Sequence, residues 1–194
     1  MANMCSTSYA ICSENKALLH AICDAINECA SMKEPLIPKS DTNWVGNIFQ
    51  KLGLEKCNER TFWSDAKIED GVLKFYENSA WNRGGAIIRL QNHFDNGEDE
   101  ESQLSIYFVS EELGNGIYET NDEEGVYFKE RYCLYVNNGD EYYNTFEELK
   151  ADVQEMLETD TDFKDVAEIN AALEEAGEEG DNGHVYEIEF ANLE

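Results

Sequence analysis

Apolar residues recur every three or four positions through Leu18, Leu19, Ile22, Ile26 and Cys29, the spacing that lines one helix face. Ser13 stands ahead of them as a start signal, so the pattern predicts an amphipathic helix over residues 14–31. Pro35 and Pro38, the only prolines, then impose an extended connector, because proline lacks an amide donor and restricts the residue before it. Asp41 or Thr42 is placed to cap a second, short helix with the apolar face Trp44, Val45, Ile48, Phe49 and Leu52, stopped by Gly53. Residues 1–60 are thereby predicted to form a helical N-terminal layer.

From Thr61 the period falls to two. Phe62 to Ile68, the dipeptide Asp70-Gly71 and Val72 to Ser79 read as a hairpin. Helical spacing returns between Gly85 and Phe94, through Ile87, Ile88 and Leu90. Alternation resumes at Leu104, Ile106 and Phe108, and again over Val126 to Val136, where Lys129-Glu130-Arg131 gives the strand an edge-like character. Thr145 followed by Glu148 is a capping-box pattern for a helix with Phe146, Leu149, Val153 and Leu157 on its core face. Asp165 to Ala176 reads as a further helix, and His184 to Phe190 as a last strand. From residue 72 the order strand, helix, strand, strand, helix, strand predicts an α+β fold: a ferredoxin-like antiparallel sheet with helices on one face, occupying residues 61–194.

Charge changes the picture more than composition does. Residues 1–90 hold 11 acids and 10 bases, whereas the remaining 104 residues hold 31 acids and 4 bases, so nearly all of the net −28 lies in the second half. Nine Phe, ten Tyr and three Trp supply enough apolar surface for a core, which separates this chain from a disordered acidic tail. A one-sign surface selects partners of the other sign, so a basic protein is the expected partner. Direct nucleic-acid binding needs a basic stripe among aromatics, and the aromatic-rich region Tyr107 to Tyr143 is acidic instead. No segment approaches the roughly 20 apolar residues of a membrane span, and the N-terminus lacks a basic start followed by an apolar run; a cytoplasmic protein is expected.

Candidate chemistry is sparse. The six cysteines include no C-x-x-C pair, and reduced, structural thiols are expected. The run Asp95 to Glu101 and the set Asp160, Asp162 and Asp165 resemble cation loops, yet both lack the turn glycine and terminal Glu of an EF-hand. Glu111 and Glu112 are adjacent on a strand, so they face opposite sides and do not flank one glycoside. His20, His93 and His184 lie on separate elements with no nucleophile beside them. Gly84-Gly85 lacks the lysine of a phosphate loop. Trp44, Trp63 and Trp81 read as core anchors. No cofactor and no catalytic residue is indicated.

The stretch from Leu73 through Ser79-x-Trp81 to Phe94, followed by residues 104–127 with Glu111-Glu112-x-Gly114, resembles the core of the Api92/YubB-like ferredoxin-fold proteins of phages and plasmids. The resemblance covers about half the chain. It implies the fold and a mobile-element setting, and carries no catalytic residue. The expected function is a non-enzymatic acidic binding protein that inhibits a basic nucleic-acid-binding protein by charge mimicry. Its partner-binding patch is expected at Glu147, Glu148, Asp152, Glu155, Glu158, Asp160, Asp162 and Asp165. The alternatives are a structural or solubility role without a specific partner, and divalent-cation binding through carboxylates.

Overall fold

A computed structural model describes residues 4–80, 84–95, 101, 103–136, 139–177 and 183–193. Trp81, and all but the two ends of the Asp95–Glu101 run, lie outside the described residues.

The fold is mixed α+β, with two sheets and five α-helices among the described residues. Its first strand, β1 (Met4–Cys12), is followed by α1 (Lys16–Ser31) and α2 (Val45–Lys51), then β2 (Thr61–Glu69) and β3 (Val72–Ala80), α3 (Gly85–Asp95), β4 (Ser105–Glu112) and β5 (Ile117–Thr120). A second sheet forms from β6 (Tyr132–Val136), β7 (Gly139–Tyr143) and β8 (His184–Glu187), with α4 (Phe146–Met156) and α5 (Val166–Ala176) between β7 and β8. The last strand, β9 (Glu189–Phe190), returns to the first sheet, whose order is β2-β3-β1-β4-β5-β9.

The helical layer expected over residues 1–60 is realised by α1 and α2 only. Met4–Cys12 is instead a central strand, antiparallel to both β3 and β4. The 61–194 division therefore cuts through one sheet and one core. The order strand, helix, strand, strand, helix, strand begins at Met4 rather than at residue 72.

The register sorts the first sheet by face. Tyr9 stands opposite Phe75 and Phe108, and Ile11 opposite Leu73 and Ile106. These residues, with buried Trp63, receive Leu19, Ile22 and Ile26 of α1, Ile48 of α2 and Ile87 and Leu90 of α3. At roughly 1.5–3 kcal/mol for each fully buried large apolar side chain, this cluster dominates the favourable side of folding. The β2–β3 turn has positive φ at both Asp70 (51°) and Gly71 (78°), the conformation an Asp-Gly hairpin turn requires.

The segment expected as a strand from Val126 is a strand only from Tyr132. Buried Asp122 accepts hydrogen bonds from the amides of Val126, Tyr127 and Phe128, which diverts those donors from strand pairing. Arg131 closes the loop by donating from Nη2 to the carbonyls of Asp122 and Glu123.

The second sheet uses both faces. Leu134 and Val185, paired across β6 and β8, pack with Leu149, Val153, Phe163, Ile169 and Leu173 beneath α4 and α5. On the other face Cys133 packs with Leu113, Tyr118 and Ile188, joining the two sheets.

Candidate functional site: an acidic two-helix layer

Residues 139–177 hold 13 acids and 2 bases, Lys150 and Lys164. The local sequence explains why so acidic a segment still folds. In α4 the Thr145 hydroxyl accepts from the amide of Glu148, and the Glu148 carboxylate accepts from the amide of Thr145. Leu149 and Val153 then face the core. In α5, Asp165 caps the amide of Glu168 (2.9 Å), and the Glu168 carboxylate accepts from the amide of Lys164 (2.9 Å). Carboxylates at helix N-termini also suit the macrodipole.

The eight acids expected in the patch divide into two groups. Four hold the local structure together. Glu148 and Asp165 are caps. The Asp152 carboxylate accepts from the Tyr143 hydroxyl, which also reaches Glu141 at 2.8 Å. Asp162 is ion-paired with Lys150, a contact that lowers the Asp162 pKa and raises that of Lys150. Burial and the two carboxylates raise the Tyr143 pKa, so its hydroxyl stays protonated. The other four are free or nearly so: Glu155, Glu158 and Asp160 have no side-chain hydrogen bond or ion pair among the described residues, and Glu147 lies 3.8 Å from Lys150. All four are exposed.

The structure adds acids the expected patch omitted. Glu168 and Glu175, one heptad apart on α5, line an open groove of about 680 Å³ together with Thr159 and Thr161. Its apolar side is built from Leu157, Phe163, Ala171, Ala172 and Ala176. The seven-residue spacing of Glu168 and Glu175 was the available signal, but groove and spacing connect only once Phe163, buried between the helices, fixes the connecting loop. Glu155 in the last turn of α4, and Glu174 and Glu175 in that of α5, sit where the macrodipole disfavours negative charge. Neither turn holds a base. The layer thus presents an apolar groove beside negative charge that the chain leaves uncompensated.

Other candidates resolve into structural roles. Glu77 is fully buried on the helix-covered face and accepts from Trp63 Nε1 at 2.7 Å, the Gly84 amide at 2.9 Å and the Tyr9 hydroxyl at 3.4 Å. Burial raises its pKa against the opposing effect of these donors. All six cysteines are free thiols and five are buried; burial pushes the Cys133 thiol up to about 12. Glu111 accepts from Tyr142, whereas Glu112 accepts from Asn115, so the adjacent pair is split. His20 is exposed, His93 lies against Phe94 and His184 against Tyr186. Trp63 is fully buried, and half-buried Trp44 donates from Nε1 to the Glu59 carbonyl. Among the described residues no group of three or more His, Cys, Asp or Glu is arranged to hold a metal ion. No helix of the described residues is long and apolar enough to cross a membrane. Comparison with protein-family models, with curated proteins and with solved structures finds no match.

Proposed function

We propose that this chain is a non-enzymatic acidic binding protein whose α4–α5 layer docks a basic segment of a partner protein, of the kind that otherwise contacts nucleic-acid phosphates. The observation that carries the reading is the uncompensated charge at the C-terminal turns of α4 and α5, beside a groove with an apolar side. A basic amphipathic segment supplies what the layer lacks, cations for Glu155, Glu174 and Glu175 and apolar side chains for the groove. Sequestering such a segment would inhibit the partner's binding to nucleic acid.

The same proposal covers the setting. A ferredoxin-like class for the first sheet is supported by the antiparallel order β2-β3-β1-β4 with helices in the β1–β2 and β3–β4 connections. The resemblance to Api92/YubB-like proteins supports a phage or plasmid origin and a cytoplasmic site of action.

The test is a pull-down from host lysate at low and then moderate salt, followed by direct titration of each protein identified. The control is a variant with Glu155, Asp160, Glu174 and Glu175 changed to Lys. Specific recovery of a nucleic-acid-handling protein, lost in the variant and competed by duplex DNA, is the expected result. Equal recovery by both forms overturns the reading.

A further inference from the structure

The uncovered face of the first sheet holds a second site of different construction. Along the middle of β1 the side chains presented there, Ser6 and Ser8, are small. Ser6 lies opposite Glu111 and Ser8 opposite Val109 in the β1–β4 register. Tyr118 of β5 stands across from Glu111. Phe128 projects from the loop whose amides Asp122 holds. Tyr142 arrives from β7 of the other sheet and donates to Glu111 Oε2 at 2.7 Å. These groups, with Glu130, line a cavity of about 310 Å³ that no Lys or Arg lines.

Three aromatic rings and the Glu111 carboxylate therefore converge on one small cavity from four separate stretches of chain, and exposed Glu130 joins them at the rim, its carbonyl accepting from the Tyr118 hydroxyl at 3.3 Å. The Tyr118 and Tyr142 rings lie 6.3 Å apart, tilted by 55°. Burial raises the pKa of both hydroxyls, so they remain neutral phenols. The chemistry selects its occupant by elimination. An anion would meet Glu111 and Glu130. A purely apolar group would desolvate those carboxylates without compensation. An organic cation satisfies both kinds of wall, because aromatic faces attract cations and carboxylates pair with them. The volume equals the share of about ten liquid waters, at roughly 30 Å³ each, which suits a guanidinium with its alkyl stem and is at the bottom of the range for larger ligands.

We infer that this cavity is an aromatic and carboxylate cage that accepts an arginine side chain of the basic partner. The choice of a partner protein as the source rests on the function proposed above; the choice of a cation rests on the cavity alone. Glu111 pairs with the guanidinium while keeping its hydrogen bond from Tyr142, and Phe128 and Tyr118 flank the planar group.

The experiment is an amide NMR titration of the ¹⁵N-labelled full chain with N-acetyl-arginine amide. N-acetyl-citrulline amide, which keeps the shape and loses the charge, is the control. Saturable shifts at Ser6, Ser8, Glu111, Phe128 and Tyr142 with the arginine compound, and none with citrulline, are expected. Glu111→Gln should weaken binding about fivefold or more and Phe128→Leu about threefold, with both variants retaining the wild-type spectrum elsewhere. Equal shifts from both compounds, or none at these amides, overturn the cage. The four-fold Lys variant of the α4–α5 layer should leave the arginine titration unchanged, so cage and acidic layer fail separately. Arginine binding at the cage, with no shift of the same amides when an identified partner is added, overturns the assignment to a partner's side chain.

Discussion

The two sheet-and-helix regions of this molecule solve the same packing problem with opposite treatment of charge. Under α1, α2 and α3, fully buried Trp63, Ile11, Leu19 and Ile22 form a broad core, and several surface charges are answered locally: Lys51 by Glu28, Lys67 and Lys74 by Glu69, Arg89 by Glu59. Under α4 and α5 the core is smaller, and one lysine, Lys150, meets both Asp162 and Glu147 while the remaining acids of this layer have no ion pair among the described residues. Exposed ion pairs contribute little stability, so the first region gains little by its pairing. The contrast lies in what each surface offers another molecule. A neutralised surface offers a charged partner little, whereas the unanswered one is what the proposed function draws on.

The largest effect should separate the cores. Trp63→Ala is expected to cost about 3–5 kcal/mol, from cavity formation and from the donor lost to buried Glu77. Phe163→Ala should cost about 3 kcal/mol but loosen only α4, α5 and their connecting loop. Urea denaturation with amide hydrogen exchange measures both. Loss of protection throughout the chain in the Phe163 variant would show a single cooperative unit.

Next in size is the charge contrast itself. Changing Glu155, Asp160, Glu174 and Glu175 to Lys should weaken a basic partner about 100-fold, whereas the same change at the exposed acids Glu14, Asp24, Glu34 and Asp41 should alter affinity less than about threefold. Equal losses would mean that net charge alone governs binding. Thr145→Ala and Asp165→Ala should each cost about 1 kcal/mol of stability, read by thermal melting, because each removes a helix cap. If Asp165→Ala instead weakens partner binding with no change in melting, its carboxylate belongs to the interface.

The smallest effect is a pair of opposite pH slopes. The folded pKa of Glu77 lies above its ordinary 4.5, so its contribution is fully present below that value and declines as pH rises through the folded pKa. The folded pKa of Asp162 lies below its ordinary 3.8, so its contribution is present above that value and is lost as pH falls through the folded pKa. Glu77→Gln should remove the first slope and Asp162→Asn the second, in stability measured across the acid range. The Asp162 slope is the shallower, since its side chain is 85 % exposed.

Much of the fold was legible because its signals are local. The hairpin rests on Asp70-Gly71, α4 on Thr145 and Glu148, and α1 on aliphatic spacing, with its cap shifted from Ser13 to Asn15. α2 also forms, but its cap is Trp44, with no side-chain bond, in place of Asp41 or Thr42. β1 escaped because its alternation has low contrast. Its inward positions include Cys5 and Thr7, and its outward ones include Ser6 and Ser8, small residues that line a cavity on that side. β7 escaped because four of its five residues are exposed. Half the expected patch proved to be caps and pairs, since sequence spacing cannot distinguish a carboxylate held by an amide from one facing water. The aromatic cage was invisible for a different reason: its walls come from residues 6 to 142 and meet only through sheet register, the loop held by Asp122 and the approach of the second sheet.

The chain leaves β8 at Glu187 and joins the first sheet at Glu189, with the Ile188 amide bonded to the Arg131 carbonyl and the Ala191 amide to that of Thr120. One residue, Ile188, therefore spans the step from one sheet to the other. Tyr142 of β7 and Glu111 of β4 add a side-chain tie between the same two sheets. The two sheets are thus laced twice, once along the backbone and once through a phenol, and the second lace is the one that Tyr142→Phe unties.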